Sequence, residues 1–279
     1  TAPAFAVEAC GHLVICLPGV PHEMKHLMET EVIPLLRERF GLHGVIRSRT
    51  LRTSGIGESA IDARIGDLMQ SANPTVGTAA HPGQTDVRIT AKGESEEEAL
   101  ALIAPVEAEL RRRLGDHVFG ADQEAIGDVV SRLLAERGQR LALVETVTQG
   151  QLAQDLAHTI DGRGTLAGSL ILPDAGALGT ALGIPSEDLA GEETVSQQAA
   201  ERAAEAVRQT YAADLGLAIV GPADPGAPEA PPVYMSLSVG GRLRNGVPRP
   251  GRSGVSGQGW LIHLALDLVR RELLGLPPL

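Results

Sequence analysis

Cysteine, lysine and aromatic residues are all scarce in this chain of 279 residues, and each scarcity removes a class of function. The only cysteines, Cys10 and Cys16, lie close together near the N-terminus with no second pair. That excludes a disulfide framework and a thiolate zinc site, and both residues read as small core side chains. Lysine occurs only as Lys25 and Lys92, so residues 120 to 279 contain none. An aromatic content of 2% leaves few rings on which nucleic-acid bases could stack. No apolar run approaches the roughly 20 residues needed to cross a bilayer, and the N-terminus lacks the charged-then-apolar order of a secretory signal. A soluble, cytoplasmic protein with no membrane partner is the expectation. Positive charge is short too: 24 basic against 35 acidic residues give a net charge of −11. Such a field repels phosphate and argues against a nucleic-acid partner. The run Arg111-Arg112-Arg113, which follows the acidic stretch from Glu94 to Glu98, reads as the polar face of one solvated helix.

With 43% apolar residues the chain can bury real cores in two modest domains. Residues 1 to 42 predict a strand at His12 to Leu17, a tight Pro18-Gly19-Val20-Pro21 turn, and a helix from about His22 to Phe40. One βα unit with nothing before it to pair cannot bury both of its faces, so the chain is expected to begin inside a larger α/β domain. Residues 43 to 119 predict a small α+β unit. Its strands are Val45 to Thr53, Thr75 to Ala79 and Asp86 to Lys92, and its helices are Ile56 to Gln70 and Ser95 to Leu114.

Residues 120 to 279 alternate strands and helices in a way that implies an α/β/α layered domain. Helices are expected at Gln123 to Glu136, Thr148 to Thr159, Ala177 to Leu182, Ser196 to Ala213 and Ser256 to Leu273. Strands are expected at Arg140 to Val144, Thr165 to Leu172, Leu217 to Val220, Val233 to Val239 and Gly241 to Val247. Ala199, Ala203, Ala206 and Val207 form one apolar stripe, small enough to signal close packing on a neighbour. The stretch from Gly221 to Pro232, rich in proline, glycine and alanine, reads as a surface loop.

The most informative segment joins the apolar run Leu141-Ala142-Leu143-Val144 to Glu145-Thr146-Val147-Thr148-Gln149-Gly150 and then to helical spacing. A buried strand feeding straight into a helix presents free backbone N–H groups and a positive dipole end, able to hold an anion or polarise a carbonyl. Glu145, Thr146 and Thr148 stand at that mouth, with the backbone N–H groups from Thr148 to Gly150 as candidate oxyanion donors.

Several motifs resemble the CinA family (competence/damage-inducible protein A). Leu17-Pro18-Gly19-Val20-Pro21-His22-Glu23-Met24, preceded by Thr1-Ala2-Pro3-Ala4-Phe5, is similar to a signature of the family's N-terminal domain. Thr53-Ser54-Gly55-Ile56-Gly57-Glu58-Ser59 resembles the Gly-Ile-Gly-Glu-Ser of its linking domain. Glu145 to Gly150 resembles its C-terminal Glu-Ser-Cys-Thr-Gly-Gly. The resemblance implies an α/β chain in three parts. Residues 1–42 would be the βα remnant of a molybdopterin-binding-like domain, 43–119 a KH-like α+β linking domain, and 120–279 a nicotinamide-nucleotide amidase-like α/β/α domain.

In that family the amidase site resembles a serine nucleophile at the strand-to-helix turn, assisted by a tyrosine and a lysine from a Tyr-Ser-Asn-Glu-Ala-Lys segment. The aligned nucleophile here is Thr146, and a hydroxyl needs a neighbour to take its proton. Two readings of Thr146 stay open: nucleophile, or helix-entry residue whose oxygen caps a free N–H, a role Thr148 could fill equally well. The tyrosine and lysine positions fall within Leu170 to Gly179 and are occupied by Leu172 or Pro173 and by Ala177 or Leu178. Gly221 begins a stretch resembling the family's Gly-Pro-Asp-Gly-Gly loop, and Arg252 stands near its phosphate-facing arginines. The N-terminal half implies an ADP-ribose pyrophosphatase, and Gly19, Pro21 and Glu23 match a loop bordering that site. Glu23 alone would not hold a divalent cation, so neither metal nor cofactor is expected. The resulting expectation is a weak or inactive amidase acting in nucleotide binding or oligomerisation, with a pyridine mononucleotide or related nucleotide as ligand and a homo-oligomer as assembly. The alternative is an active amidohydrolase on nicotinamide mononucleotide using Thr146 as nucleophile.

Overall fold

The structure, a computed structural model, describes residues 3–185, 195–222, 227, 229–246 and 255–278. The chain divides into two compact units, Thr1–Arg47 with Ala91–Leu102, and Ser48–Thr90 with Ile103–Leu279. No described helix is long and apolar enough to cross a membrane.

The first unit opens with a hairpin where a lone strand was expected. β1 (Phe5–Ala9) pairs antiparallel with β2 (His12–Cys16), from Phe5 opposite Cys16 to Ala9 opposite His12. The turn between them holds Cys10 at φ 53° and Gly11 at φ 76°, two left-handed residues whose twist matches the flanking strands. A cysteine in that conformation is no turn signal, which hid β1 from the sequence. Both cysteines are exposed, correcting their assignment to a core. The long helix forms as α1 (Pro21–Leu27), a π-helical turn (Met28–Val32) and α2 (Ile33–Phe40). Pro34 lacks the N–H that a regular turn would use, and widening by one residue accommodates it. Gly41, left-handed at φ 58°, ends α2.

The linking region builds a four-stranded sheet in the order β4-β5-β3-β6. Along the chain run β3 (Val45–Ser54), α3 (Glu58–Ile65), β4 (Thr75–His81), β5 (Gln84–Gly93), α4 (Glu96–Leu114) and β6 (Val118–Ala121). Leu51, Ile61, Ile65, Val87, Ile89, Leu110 and Leu114 fill its core. Arg113 donates to Arg64 O and Asp67, tying the end of α4 to α3. β6, only four residues and interrupted by Gly120, is too short to show periodicity.

The remaining elements are α5 (Ile126–Glu136), β7 (Leu141–Glu145), α6 (Gln151–Ala157), α7 (Gly162–Thr165), β8 (Leu166–Ile171), α8 (Leu178–Leu182), α9 (Gln197–Thr210), β9 (Leu215–Val220), β10 (Tyr234–Val239), β11 (Arg242–Asn245) and α10 (Val255–Leu274). They form the expected α/β/α layers. The sheet runs β11-β10-β9-β7-β8, with β7 parallel to β8 and β9, and β10 antiparallel to β9 and β11.

Alternation along the strands sorts the two cores. Leu141, Leu143, Leu215, Leu217 and Ile219 face α5, α6 and α10, whereas Ala142, Val144, Ala218 and Val220 face α9 and its neighbours. On α9 the buried stripe is Ala199, Ala200, Ala203, Ala204 and Val207, with Ala206 only half-buried. The approach is close: a Cβ added at Gly216 would lie 2.1 Å from Ala204 O. Phe119 of β6 joins the core formed with α10. On α10, buried Asp267 accepts from Arg270 Nε at 2.7 Å and Arg271 Nε at 2.8 Å. Arg270 Nη2 reaches Asp116 O at 2.8 Å, anchoring the end of the linking region to the last helix.

The strand-to-helix junction and its relatives

β7 ends at Glu145, and the chain turns through Thr146, Val147 and Thr148 before Gln149 and Gly150 take left-handed φ values of 52° and 85°. Those two residues reverse the backbone into α6, which therefore begins at Gln151 and not at Thr148 as expected. At Gly150 the positive φ of 85° disfavours a side chain, and a Cβ would also press on Ile171 Cδ1 at 2.6 Å, the movable end of an exposed side chain.

Glu145 is fully buried, and its side chain turns forward onto the helix it precedes. Oε2 accepts from Thr148 Oγ1 at 2.6 Å and from Leu152 N at 3.2 Å, and Oε1 accepts from Ala153 N at 3.0 Å. These are the N–H groups that a helix start leaves without partners, so the carboxylate acts as a cap reached from across the turn. Thr148, also fully buried, spends its hydroxyl on that carboxylate.

Thr146 is 4% exposed. Its N–H donates to Ile219 O at 3.1 Å, and its Oγ1 accepts from Gly221 N at 3.0 Å. The hydroxyl proton has backbone acceptors in Ile219 O at 3.4 Å and Gly221 O at 3.3 Å. Thr146 thus clasps the end of β9 and does not cap α6. Gly221 is buried beside it, and a Cβ there would fall 2.8 Å from Val147 Cγ1 and 2.9 Å from Val233 Cγ2. Glu145, Thr146, Thr148, Gly150 and Gly221 are therefore one connected cluster at the C-terminal ends of β7 and β9. Arg252, and residues 223–226 and 228 of the loop beyond Gly221, lie outside the described residues. Gly19 and Pro21 are exposed and Glu23 is half-buried at the start of α1, all in the first compact unit.

Among the described residues no three His, Cys, Asp or Glu side chains converge as metal ligands. A cavity of about 410 Å³ opens elsewhere, at the start of α5 and the end of α6, with Asp128, Asp155, His158, Ile262 and His263 in its wall. None of the junction residues lines it. His158 is exposed, while His263 is 7% exposed and leaves Nε2 without a hydrogen-bond partner among the described residues. In sequence His263 looks like one more residue of an amphipathic helix. The signal available was its place within the apolar spacing of Leu261, Ile262, Ala265 and Leu266.

The family model for the damage-inducible protein CinA KH domain matches residues 48–120, and that for the CinA C-terminal domain matches residues 123–241. A CinA-like protein of Desulfovibrio desulfuricans is 39% identical over 286 residues, covering 99% of this chain and 67% of that protein. A CinA-like protein of Parasynechococcus marenigrum is 37% identical over 269 residues, covering 94% and 64% respectively. The chain spans about two thirds of the length of these curated relatives. Among solved structures, a CinA superfamily protein from Enterobacter cloacae aligns with 55% of this chain and 95% of its own, at 23% identity and a TM-score of 0.47.

Proposed function

The chain belongs to the CinA family, with that family's KH and C-terminal domains, and on that premise we propose that its C-terminal domain is an amidase-like scaffold without amide hydrolysis, serving in nucleotide binding and self-assembly. The observation that carries this reading is the commitment of the Thr146 hydroxyl. Thr146 is 4% exposed, its hydroxyl accepts from Gly221 N, and among the described residues the acceptors for its proton are the backbone carbonyls of Ile219 and Gly221. A carbonyl oxygen is no general base, and residues 120 to 279 contain no lysine to supply one.

The mouth of α6 supports the same reading. An oxyanion site needs free N–H donors aimed at developing negative charge. Of the N–H groups at the start of α6, those of Leu152 and Ala153 are held by the Glu145 side chain and are not free to receive an oxyanion. The ligand we assign is a pyridine mononucleotide or related nucleotide, bound without conversion by a cytoplasmic homo-oligomer.

Calorimetric titration of the full chain with nicotinamide mononucleotide, followed by proton NMR of the recovered ligand, tests the proposal. Saturable binding with the carboxamide intact is expected. Recovery of the deamidated acid, lost on Thr146→Ala, would establish the nucleophile instead.

A further inference from the structure

The tip of the β4–β5 hairpin rests on α10 beside a buried imidazole. Pro82 and Gly83 close the hairpin between His81 and Gln84, which pair across it. Gly83, at φ 76°, lies so near the helix that a Cβ would fall 2.8 Å from His263 Cβ and 3.3 Å from Trp260 Cα. A Cβ on Gly259 would stand 3.8 Å from Pro82 Cβ, so helix and tip meet at both residues of the turn. The His263 ring meets Phe119 of β6 edge-on, centroids 5.3 Å apart.

A neutral imidazole tolerates this setting, but a protonated one carries two N–H donors and a charge that must be solvated or paired. Among the described residues the anions facing it are taken. Asp267 on α10 is shared between Arg270 Nε and Arg271 Nε. Asp86 on β5 holds Arg52 Nη1 of β3 at 2.6 Å, Gln84 Nε2 at 2.6 Å and His81 Nε2 of β4 at 3.2 Å. Arg270 repels a second cation. From α5 and α6, Asp128, Asp155 and His158 share a cavity wall with His263, and the two carboxylates accept from Ala125 N and Gln151 Nε2. The hairpin tip lies against the ring, with His81 and Pro82 exposed on its outer side.

We propose that the Pro82–Gly83 tip is a proton-released latch: protonation of His263 lifts it from α10 and lets water reach the imidazolium, loosening the KH sheet from the C-terminal domain. Burial holds His263 down to about 4, with Asp267 and Asp86 opposing and Arg270 adding to the depression. The ring is therefore neutral and the latch closed from neutrality down to that range, and acid opens it.

Trp260, the only tryptophan in the chain, reports on the contact directly. Its emission, followed in the full chain from neutral pH downward, should shift to the red with a midpoint near 4 while far-ultraviolet circular dichroism stays constant. His263→Phe, and His263→Gln should the phenylalanine variant not fold, remove the transition. His81→Gln retains it, and Gly83→Ala shows shifted emission already at neutral pH. Persistence of the transition in the His263 variants, or an emission change that appears only together with loss of helical signal, would overturn the latch.

Discussion

Thr148 Oγ1 donates to Glu145 Oε2 across 2.6 Å, and neither side chain has any solvent exposure. With the Leu152 and Ala153 N–H groups on the same carboxylate, the start of α6 is satisfied from inside the protein. Removing the carboxylate strands three donors in a buried site. Glu145→Ala should cost about 3 kcal/mol, read as a lower urea midpoint, and Glu145→Gln less because an acceptor remains. An unchanged midpoint for the alanine variant would mean that these bonds do not form.

Thr146 makes a separate prediction about stability. Its oxygen is the acceptor for Gly221 N at 3.0 Å, so Thr146→Ala leaves a buried donor bare. A loss of about 1–3 kcal/mol is expected, and Thr146→Ser, which keeps the oxygen, should recover most of it. Equal losses in the two variants would point to the methyl group and its packing.

Close packing of α9 on β9 depends on Gly216. An added Cβ would stand 2.1 Å from Ala204 O and 2.7 Å from Arg208 Cβ, backbone and stem that cannot swing aside. Gly216→Ala should destabilise the chain by about 3 kcal/mol. Gly164→Ala, with no heavy atom within 4 Å of its added Cβ, serves as the near-neutral control.

Glu205 sets a pH dependence. Hydrogen bonding to Arg208, opposed by burial and reinforced by Ser238 and Gln209, holds its carboxyl down to about 2 from an ordinary value of 4.5. The unfolded chain therefore binds this proton first as pH falls. The contribution of Glu205 to stability is complete above 4.5 and disappears on descent toward 2. The stability difference between the parent chain and Glu205→Gln, measured by urea unfolding, should shrink through that window. A constant difference would contradict the ion pair with Arg208.

The layered domain was legible because its central strands, β7 and β9, are buried on both faces: Leu141-Ala142-Leu143-Val144 reads as one apolar run, and the structure divides it, leucines toward α10 and the small residues toward α9. The alanine stripe of α9 announced a close neighbour for the same steric reason. Elements fixed by unusual backbone were not legible. β1 depends on a left-handed Cys10, and the late start of α6 on left-handed Gln149 and Gly150. At the junction, spacing named the participants but not their partners. Nothing in a linear pattern says that the Glu145 side chain reaches seven and eight residues ahead, or that Thr146 turns to β9. Those choices are made by tertiary packing, where buried donors and acceptors must all be matched.

Ammonia release from nicotinamide mononucleotide by the full chain, at enzyme concentrations high enough to register a single turnover, tests the central claim most directly. A hydroxyl held between backbone groups, with no base beside it among the described residues, predicts no ammonia above the uncatalysed rate, for the parent chain and for Thr146→Ala alike. Turnover by the parent chain that vanishes in Thr146→Ala would contradict the account.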